Sequence, residues 1–273
     1  MDLVEVDGIE LEVSDVGSGD PVVLVQTALT ADELAPLAEH LAVLGAYRVI
    51  LYYRRGYAGS YPAQGPGSIV RDAADCRNLI AALQLRQVHL VGYSYSGAVA
   101  LQLARDAGEH VHTLTLIEPP PVHVPSSGSF RAANTRLQDV RWARGPDAAL
   151  GAFMTTLMGP DWRTEVEQRL PGAVAQMQRD ATTFFDTDLP ALLSWRFAAE
   201  DARRIACPVL HIGGHDSGPW FADVRELILT WFPLAEDVLL TGADHSLALT
   251  HAPQIAGVLA DFLDRHPPPT RRR

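Results

Sequence analysis

The sequence contains no lysine, because all 22 basic residues of the 273-residue chain are arginines. This absence excludes a phosphate-binding Walker lysine, a Schiff-base lysine and a Ser-Lys dyad. The formal net charge of −11 argues against nucleic acid or an anionic membrane surface as a partner. A small-molecule substrate is therefore the expected partner.

Cysteine and long apolar runs are also scarce. Cys76 and Cys207 are the only cysteines and lie far apart, which favours free thiols over a disulfide. No stretch approaches the ~20 apolar residues that cross a bilayer, and the first residues lack the pattern of a secretion signal. We expect a cytoplasmic protein, and the Arg- and Ala-rich usage is typical of a high-GC bacterial genome.

The rest of the sequence alternates short apolar runs with helical patterns. An alternating segment over residues 3–16 predicts an antiparallel hairpin. Strand patterns then occur at 21–25, 47–53, 88–93, 112–117, 208–212 and 238–240. Helical segments between these runs predict an α/β fold with a mainly parallel central sheet and helices on both faces.

The alternation is interrupted once, by a stretch of about 80 residues that shows no strand pattern. We expect residues 122–203 to form a helical cap, inserted into a core domain made of residues 1–121 and 204–266. Open parallel sheets bind ligands at the carboxyl ends of their strands, where we expect the cap to lie. Residues 267–273, rich in Pro and Arg, are expected to be a disordered tail.

A serine lies between the third parallel strand pattern and a helix. The segment Gly92-Tyr93-Ser94-Tyr95-Ser96-Gly97 follows a buried strand, and good helix-forming residues follow it. A serine in a strained strand-to-helix turn needs small residues two positions before and after it, here Gly92 and Ser96. This pattern predicts that Ser94 is a nucleophile.

A serine hydroxyl needs a base, and that base needs an acid to orient it. His245 follows the last strand pattern, and Asp216 lies in the turn after the strand pattern at 208–212. Glu118, directly after the strand pattern at 112–117, is the alternative acid. Ser94, Asp216 and His245 follow the chain order Ser, acid, His that accompanies this type of serine turn, and we weigh Asp216 above Glu118.

The serine turn, the Arg55-Gly56 turn, the Asp216 turn and the His245 loop together resemble the α/β-hydrolase fold superfamily, of the serine-hydrolase type with a helical cap. The likeness extends over about residues 10–265. It implies that Ser94 is the nucleophile, His245 the base and Asp216 the acid. Some relatives, such as certain haloalkane dehalogenases, keep their acid where this chain has Glu118.

The chain departs from these relatives at the oxyanion hole, where they usually carry His-Gly and this chain has Gln26-Thr27. Backbone N–H groups can still stabilise an oxyanion, and we expect Ala28 and Tyr95 to donate them. The predicted pocket residues, chosen by residue type, are Gln26, Phe153, Met158, Phe184 and Trp195.

These features predict a serine hydrolase that cleaves an ester, thioester or lactone of a small to medium, largely apolar substrate through an acyl-enzyme. No cofactor and no metal are expected. Two alternatives stay open: a non-hydrolytic or C–C bond enzyme of secondary metabolism (cyclase, transacylase or β-diketone hydrolase), and a catalytically silent binding protein. The sequence leaves open the acyl length and the choice between monomer and homodimer.

Overall fold

The computed structural model describes residues 1–268, so residues 269–273 of the predicted tail lie outside the described part. Within residues 1–268, one sheet contains eight strands. Their bounds are β1 (Asp2–Val6), β2 (Ile9–Gly17), β3 (Asp20–Val25), β4 (Tyr47–Tyr52), β5 (Val88–Tyr93), β6 (Val111–Ile117), β7 (Val209–Gly214) and β8 (Glu236–Leu240).

Helices follow most of the strands. They are α1 (Ala35–Leu44), α2 (Ile69–Ala82), α3 (Tyr95–Asp106), α4 (Ser127–Arg144), α5 (Pro146–Met158), α6 (Trp162–Arg169), α7 (Ala173–Thr183), α8 (Leu189–Ser194), α9 (Ala199–Ala202), α10 (Pro219–Trp231), α11 (Leu247–Thr250) and α12 (Ala252–Arg265). A 3₁₀ turn (Gly108–His110) precedes β6, and a π-helical turn (Phe184–Asp188) joins α7 to α8.

The strands are ordered β1-β2-β4-β3-β5-β6-β7-β8. β1 and β2 form the predicted antiparallel hairpin, β2 also runs antiparallel to β4, and the remaining pairs are parallel. This architecture confirms the predicted α/β fold class.

The register of the central strands aligns their carboxyl ends. Val25 pairs with Gly92, Tyr93 with Ile117, and Ile117 with Ile212. The segments that follow these strands therefore meet at one edge of the sheet, which is where an open parallel sheet binds ligands.

Apolar clusters cover both faces of the sheet, as a parallel sheet requires. One cluster packs α2, α3 and α10 on the first face, and the other packs α1 and α12 on the opposite face. β5 lies between these layers and is buried along its whole length, so the turn after it is supported from both sides.

Residues 122–203 lie between β6 and β7, and we call them the inserted segment; their regular structure is helical throughout. A third apolar cluster, centred on Trp162, Met177 and Phe185, packs these helices together. Cys76 and Cys207 are both free, as the sequence predicts. Among residues 1–268, no helix combines the length and the apolar character that crossing a membrane requires.

Candidate active site

Ser94 lies at the apex of the turn between β5 and α3. Its backbone has φ 51° and ψ −121°, a strained conformation that residues other than glycine rarely adopt. The Ser94 N–H donates to Ile117 O at 3.0 Å, which ties the turn to the neighbouring strand β6. The fold therefore holds this strained turn from a second strand and leaves the hydroxyl at the edge of the sheet.

The small residues around Ser94 have separate steric roles. A Cβ on Gly92 would lie 2.4 Å from Ser96 O, so strand and helix could not pass this closely with any larger residue there. Ser96, the small residue two positions after Ser94, accepts a hydrogen bond from Tyr93 N–H at 2.9 Å through its hydroxyl. The serine at this position therefore closes the turn with a hydrogen bond of its own.

His245 lies in the loop after β8, with its ring between Ser94 and a carboxylate. Its Nε2 is 3.1 Å from Ser94 Oγ, and its Nδ1 is 2.7 Å from Glu118 Oε2. The Phe221 ring stacks on the imidazole at 3.9 Å between centroids. A proton on Nδ1 satisfies the carboxylate and leaves the Nε2 lone pair free to accept the serine proton.

Glu118, the alternative acid of the sequence analysis, is the residue that contacts His245. It follows β6 with φ 41°, and it is 1% exposed. Its second oxygen, Oε1, accepts the Gly214 N–H at 2.8 Å. Both carboxylate oxygens are therefore engaged, one by the imidazole and one by the last residue of β7.

This geometry corrects the prediction that Asp216 is the acid that orients His245. Gly214, the last residue of β7, donates its backbone N–H to Glu118, and Asp216 donates its N–H to Ala243 O at 2.8 Å. Within residues 1–268 the Asp216 carboxylate makes no hydrogen bond to His245, and it lines the cavity instead. Both acids lie between Ser94 and His245 in the chain, so chain order could not separate them, and Glu118 fills the acid position next to the imidazole.

Ala28 and Tyr95 supply backbone N–H groups beside Ser94. Both residues line the same cavity as Ser94 and His245. Among the contacts of residues 1–268, neither N–H has a backbone or side-chain acceptor, whereas the next N–H, of Leu29, donates to Tyr57 Oη at 3.1 Å. Two free donors at the carboxyl edge of the sheet can stabilise an oxyanion.

A cavity of about 620 Å³ opens above Ser94, and its walls are mostly apolar. Phe153, Met158 and Phe184, three of the expected pocket residues, line it. Gln26 and Trp195 do not: Gln26 Oε1 accepts from Arg54 N–H at 3.2 Å behind the loop, and Trp195 donates its Nε1–H to Gln102 Oε1 at 2.9 Å. Residue type alone could not separate cavity-lining aromatics from core aromatics.

Most of the residues that line the cavity were missed in the sequence. Their helical spacing does not show which face of each helix points toward the cavity. The inserted segment contributes Asn134, Arg136, Leu137, Val140, Leu157, Leu189 and Leu192, and α10 contributes Trp220 and Phe221. No motif marks these positions, whereas the strand ends that carry Ser94 and Glu118 are visible in the sequence.

Glu33 was also missed, and it is a carboxyl group in the cavity wall. Burial raises its pKa to about 8, against a smaller opposing effect of the Tyr93 hydroxyl, whose oxygen is 3.4 Å from Glu33 Oε1. The Glu33 carboxyl is therefore mainly protonated at neutral pH, and this side of the cavity carries little charge. In residues 1–268 no cluster of three or more His, Cys, Asp or Glu is placed to hold a metal ion.

Comparisons with known proteins place the chain in a family. The profile of the Alpha/beta hydrolase family matches residues 26–258. A putative non-heme chloroperoxidase from Synechocystis sp. is 34% identical over 279 residues, covering 93% of this chain and 95% of that protein. A putative carbamate hydrolase RutD from Azorhizobium caulinodans is 29% identical over 162 residues, and that match spans 59% of each protein.

A solved structure shows the same fold over nearly the whole chain. A thermophilic esterase from Thermogutta terrifontis superposes with a TM-score of 0.81 at 20% identity, covering 97% of this chain and 99% of that one. The chain therefore belongs to the alpha/beta hydrolase family, and the protein is a hydrolase of that superfamily.

Proposed function

We propose that the protein is a cytoplasmic serine hydrolase that cleaves carboxylic esters, thioesters or lactones through an acyl-enzyme on Ser94. The observation that carries this proposal is the unbroken chain of contacts from Ser94 Oγ to His245 Nε2, at 3.1 Å, and from His245 Nδ1 to Glu118 Oε2, at 2.7 Å. A base in contact with the hydroxyl and an acid that orients the base are what a serine nucleophile requires.

In the first half of the reaction, Ser94 Oγ attacks the carbonyl carbon while His245 Nε2 takes the hydroxyl proton. Glu118 stabilises the imidazolium that forms, because its carboxylate already accepts the Nδ1–H. The developing oxyanion accepts hydrogen bonds from Ala28 N–H and Tyr95 N–H. The tetrahedral intermediate then collapses, and His245 returns the proton to the leaving alcohol or thiol.

In the second half, water attacks the acyl carbon and His245 Nε2 takes its proton. The same two N–H groups stabilise the second oxyanion. Collapse of this intermediate breaks the bond to Ser94 Oγ, which recovers its proton from His245, and the carboxylic acid leaves. Ser94 is thus regenerated without a cofactor.

We further propose that residues 122–203 act as a cap that selects the substrate. Phe153, Met158 and Phe184 of this segment line the cavity that also contains Ser94. The wall contains the carboxylates of Asp216 and Asp244 and the guanidinium of Arg136, so the negative charges outnumber the positive one and disfavour an anionic substrate. A neutral, largely apolar acyl or alcohol part fits this environment best.

The test is hydrolysis of p-nitrophenyl esters of graded acyl length, together with fluorophosphonate labelling. The proposal predicts turnover and labelling by the wild-type protein and loss of both in Ser94→Ala. A matched pair, p-nitrophenyl butyrate and the mono-p-nitrophenyl ester of succinate, tests charge selection, and the neutral ester should have the higher kcat/KM. Inertness toward every ester, with Ser94 unlabelled, would instead favour C–C bond chemistry or a binding role.

A further inference from the structure

A buried arginine lies directly behind the loop that carries the first oxyanion donor. Arg54 follows β4, and its side chain is 2% exposed. It pairs with two buried carboxylates: Nη1 is 3.0 Å from Asp72 Oδ2, and Nη2 is 2.6 Å from Asp188 Oδ2. Burying a charge is costly unless ion pairs and hydrogen bonds compensate it, and here two carboxylates compensate one cation.

The remaining N–H groups of Arg54 bind the backbone of the oxyanion loop. Nε donates to Gln26 O at 2.9 Å, and Nη2 donates to Thr27 O at 3.2 Å. In a trans peptide the C=O and the following N–H point in opposite directions. Arg54 therefore turns the Thr27 carbonyl toward the protein interior, and the Ala28 N–H on the same peptide is turned toward the cavity.

Leu29, the residue after Ala28 in the oxyanion loop, is held by the same cluster of buried charges. Leu29 has φ 68°, an unusual value for a branched residue. Its N–H donates to Tyr57 Oη at 3.1 Å, and the Tyr57 hydroxyl donates to Asp188 Oδ2 at 2.6 Å. Asp188 thus supports the loop twice, through Arg54 and through Tyr57.

The second oxyanion donor is connected to the same cation. The Arg54 guanidinium carbon lies 4.2 Å from the centroid of the Tyr95 ring, a cation–π contact. The Tyr95 hydroxyl donates to Asp72 Oδ2 at 2.8 Å, on the carboxylate that pairs with Arg54. The residues that donate both N–H groups are therefore tied to one buried ion cluster.

We propose that Arg54 is a positioning residue that orients both backbone donors of the oxyanion hole, and that Asp188 of the inserted segment holds Arg54 in place. This inference rests on the proposed function, because it assumes that an oxyanion forms at Ser94. Arg54 shares this support with the Gln26 amide, whose Nε2 also donates to Thr27 O, and with the Thr27 hydroxyl, which donates to Tyr93 O at 3.0 Å. The pairing of Arg54 with Asp188 also makes the oxyanion hole dependent on the π-helical turn Phe184–Asp188, since that turn supplies Asp188.

The test compares Arg54→Lys and Asp188→Asn with the matched control Arg55→Lys. Lysine keeps the positive charge but lacks the planar fork that reaches two carboxylates and two carbonyls. Arg55 is the next residue and pairs with Asp75 near the surface, away from the loop. Measurements are kcat and KM on a p-nitrophenyl ester, the inhibition constant of a trifluoromethyl ketone, and folding by circular dichroism and thermal melting.

The proposal predicts that kcat falls about 10- to 100-fold in Arg54→Lys and Asp188→Asn, less than the 10²–10³-fold cost of deleting a donor outright. KM should change less than about threefold, because the donors act on the transition state. The ketone, whose adduct carries an oxyanion, should bind more weakly by a similar factor as kcat. Arg55→Lys should leave all three constants unchanged within about threefold.

Folded variants that keep wild-type kcat would overturn the proposal, as would a fall in kcat with unchanged affinity for the ketone. If Arg54→Lys does not fold, Asp188→Asn, which keeps the side-chain volume, decides by the same criteria. Failure of the proposed function is a separate result, because it would appear as absent turnover and absent fluorophosphonate labelling in the wild-type protein.

Discussion

At the scale of single residues, the carboxylate next to His245 comes from β6 rather than β7. Glu118 uses one oxygen for the imidazole and the other for Gly214 N–H, so the carboxylate is fixed in position. Within the described residues 1–268 the Asp216 carboxylate makes no comparable hydrogen bond, and Asp216 lines the cavity. The two acids should therefore respond very differently to loss of charge.

We expect Glu118→Gln to reduce kcat by about 10³- to 10⁴-fold, because an amide cannot stabilise the imidazolium or hold the required tautomer. Asp216→Asn, the matched substitution, should change kcat less than about fivefold. Steady-state kinetics on a p-nitrophenyl ester measures both. The opposite ranking of the two variants would show that Asp216 is the functional acid.

The sequence could indicate both acids but could not choose between them. Glu118 and Asp216 each follow a strand whose carboxyl end lies at the same edge of the sheet, so both were within reach of His245 on pattern alone. The choice depends on the positive φ of Glu118 and on the Gly214 N–H. Neither of these tertiary details leaves a local signal in the sequence.

At the scale of elements, the turn between β5 and α3 determines where Ser94 lies. Its strand, turn and helix were predictable, because a buried β-branched run, a small-residue turn and a helical pattern are all local features. The orientation of the oxyanion loop was not predictable in this way. It depends on Arg54 and Asp188, which are 134 positions apart in the chain.

Gly92→Ala tests the close passage of strand and helix. The added Cβ would lie 2.4 Å from Ser96 O and 2.8 Å from Ala100 Cβ, so the turn must shift. We expect a loss of about 2–4 kcal/mol in the free energy of unfolding, as for other strained packing sites. The kcat should fall by more than tenfold in the protein that remains folded.

Gly257→Ala in α12 is the control for this substitution. Apart from the neighbouring residues and the backbone of its own helix, no atom of residues 1–268 lies within 4 Å of a Cβ at that position, so alanine should stabilise the helix by up to about 1 kcal/mol. Urea unfolding and steady-state kinetics measure both variants. Equal stability and activity of Gly92→Ala and wild type would show that the turn has more room than the structure indicates.

At the scale of the whole molecule, the protein combines a net charge of −11 with a cavity wall that contains several carboxyl groups. Burial raises the pKa of Glu33 to about 8, well above the ordinary value of 4.5. Between these two values the folded state holds a proton that the unfolded chain releases. The stability from this group is therefore complete below pH 4.5 and is lost as the pH rises through 8.

Glu33→Gln should remove this pH dependence, because the amide stays neutral. We expect the difference in free energy of unfolding, variant minus wild type, to increase by on the order of 2 kcal/mol from pH 5 to pH 9. This change is smaller than the full pKa shift would give, because Glu33 lies in the wall of an open cavity. Urea unfolding at several pH values measures it. The exposed Glu39→Gln in α1 is the control, and an equal change in both variants would contradict the assignment to Glu33.

The proposed mechanism requires that Ser94 carries the acyl group during turnover. The most direct measurement is peptide mass spectrometry of protein quenched in acid within the first turnovers of an activated ester. The account predicts one acyl mass on the peptide that contains Ser94, and no such mass in Ser94→Ala treated in the same way. An acyl group found only on another residue, or continued turnover by Ser94→Ala at the wild-type rate, would contradict it.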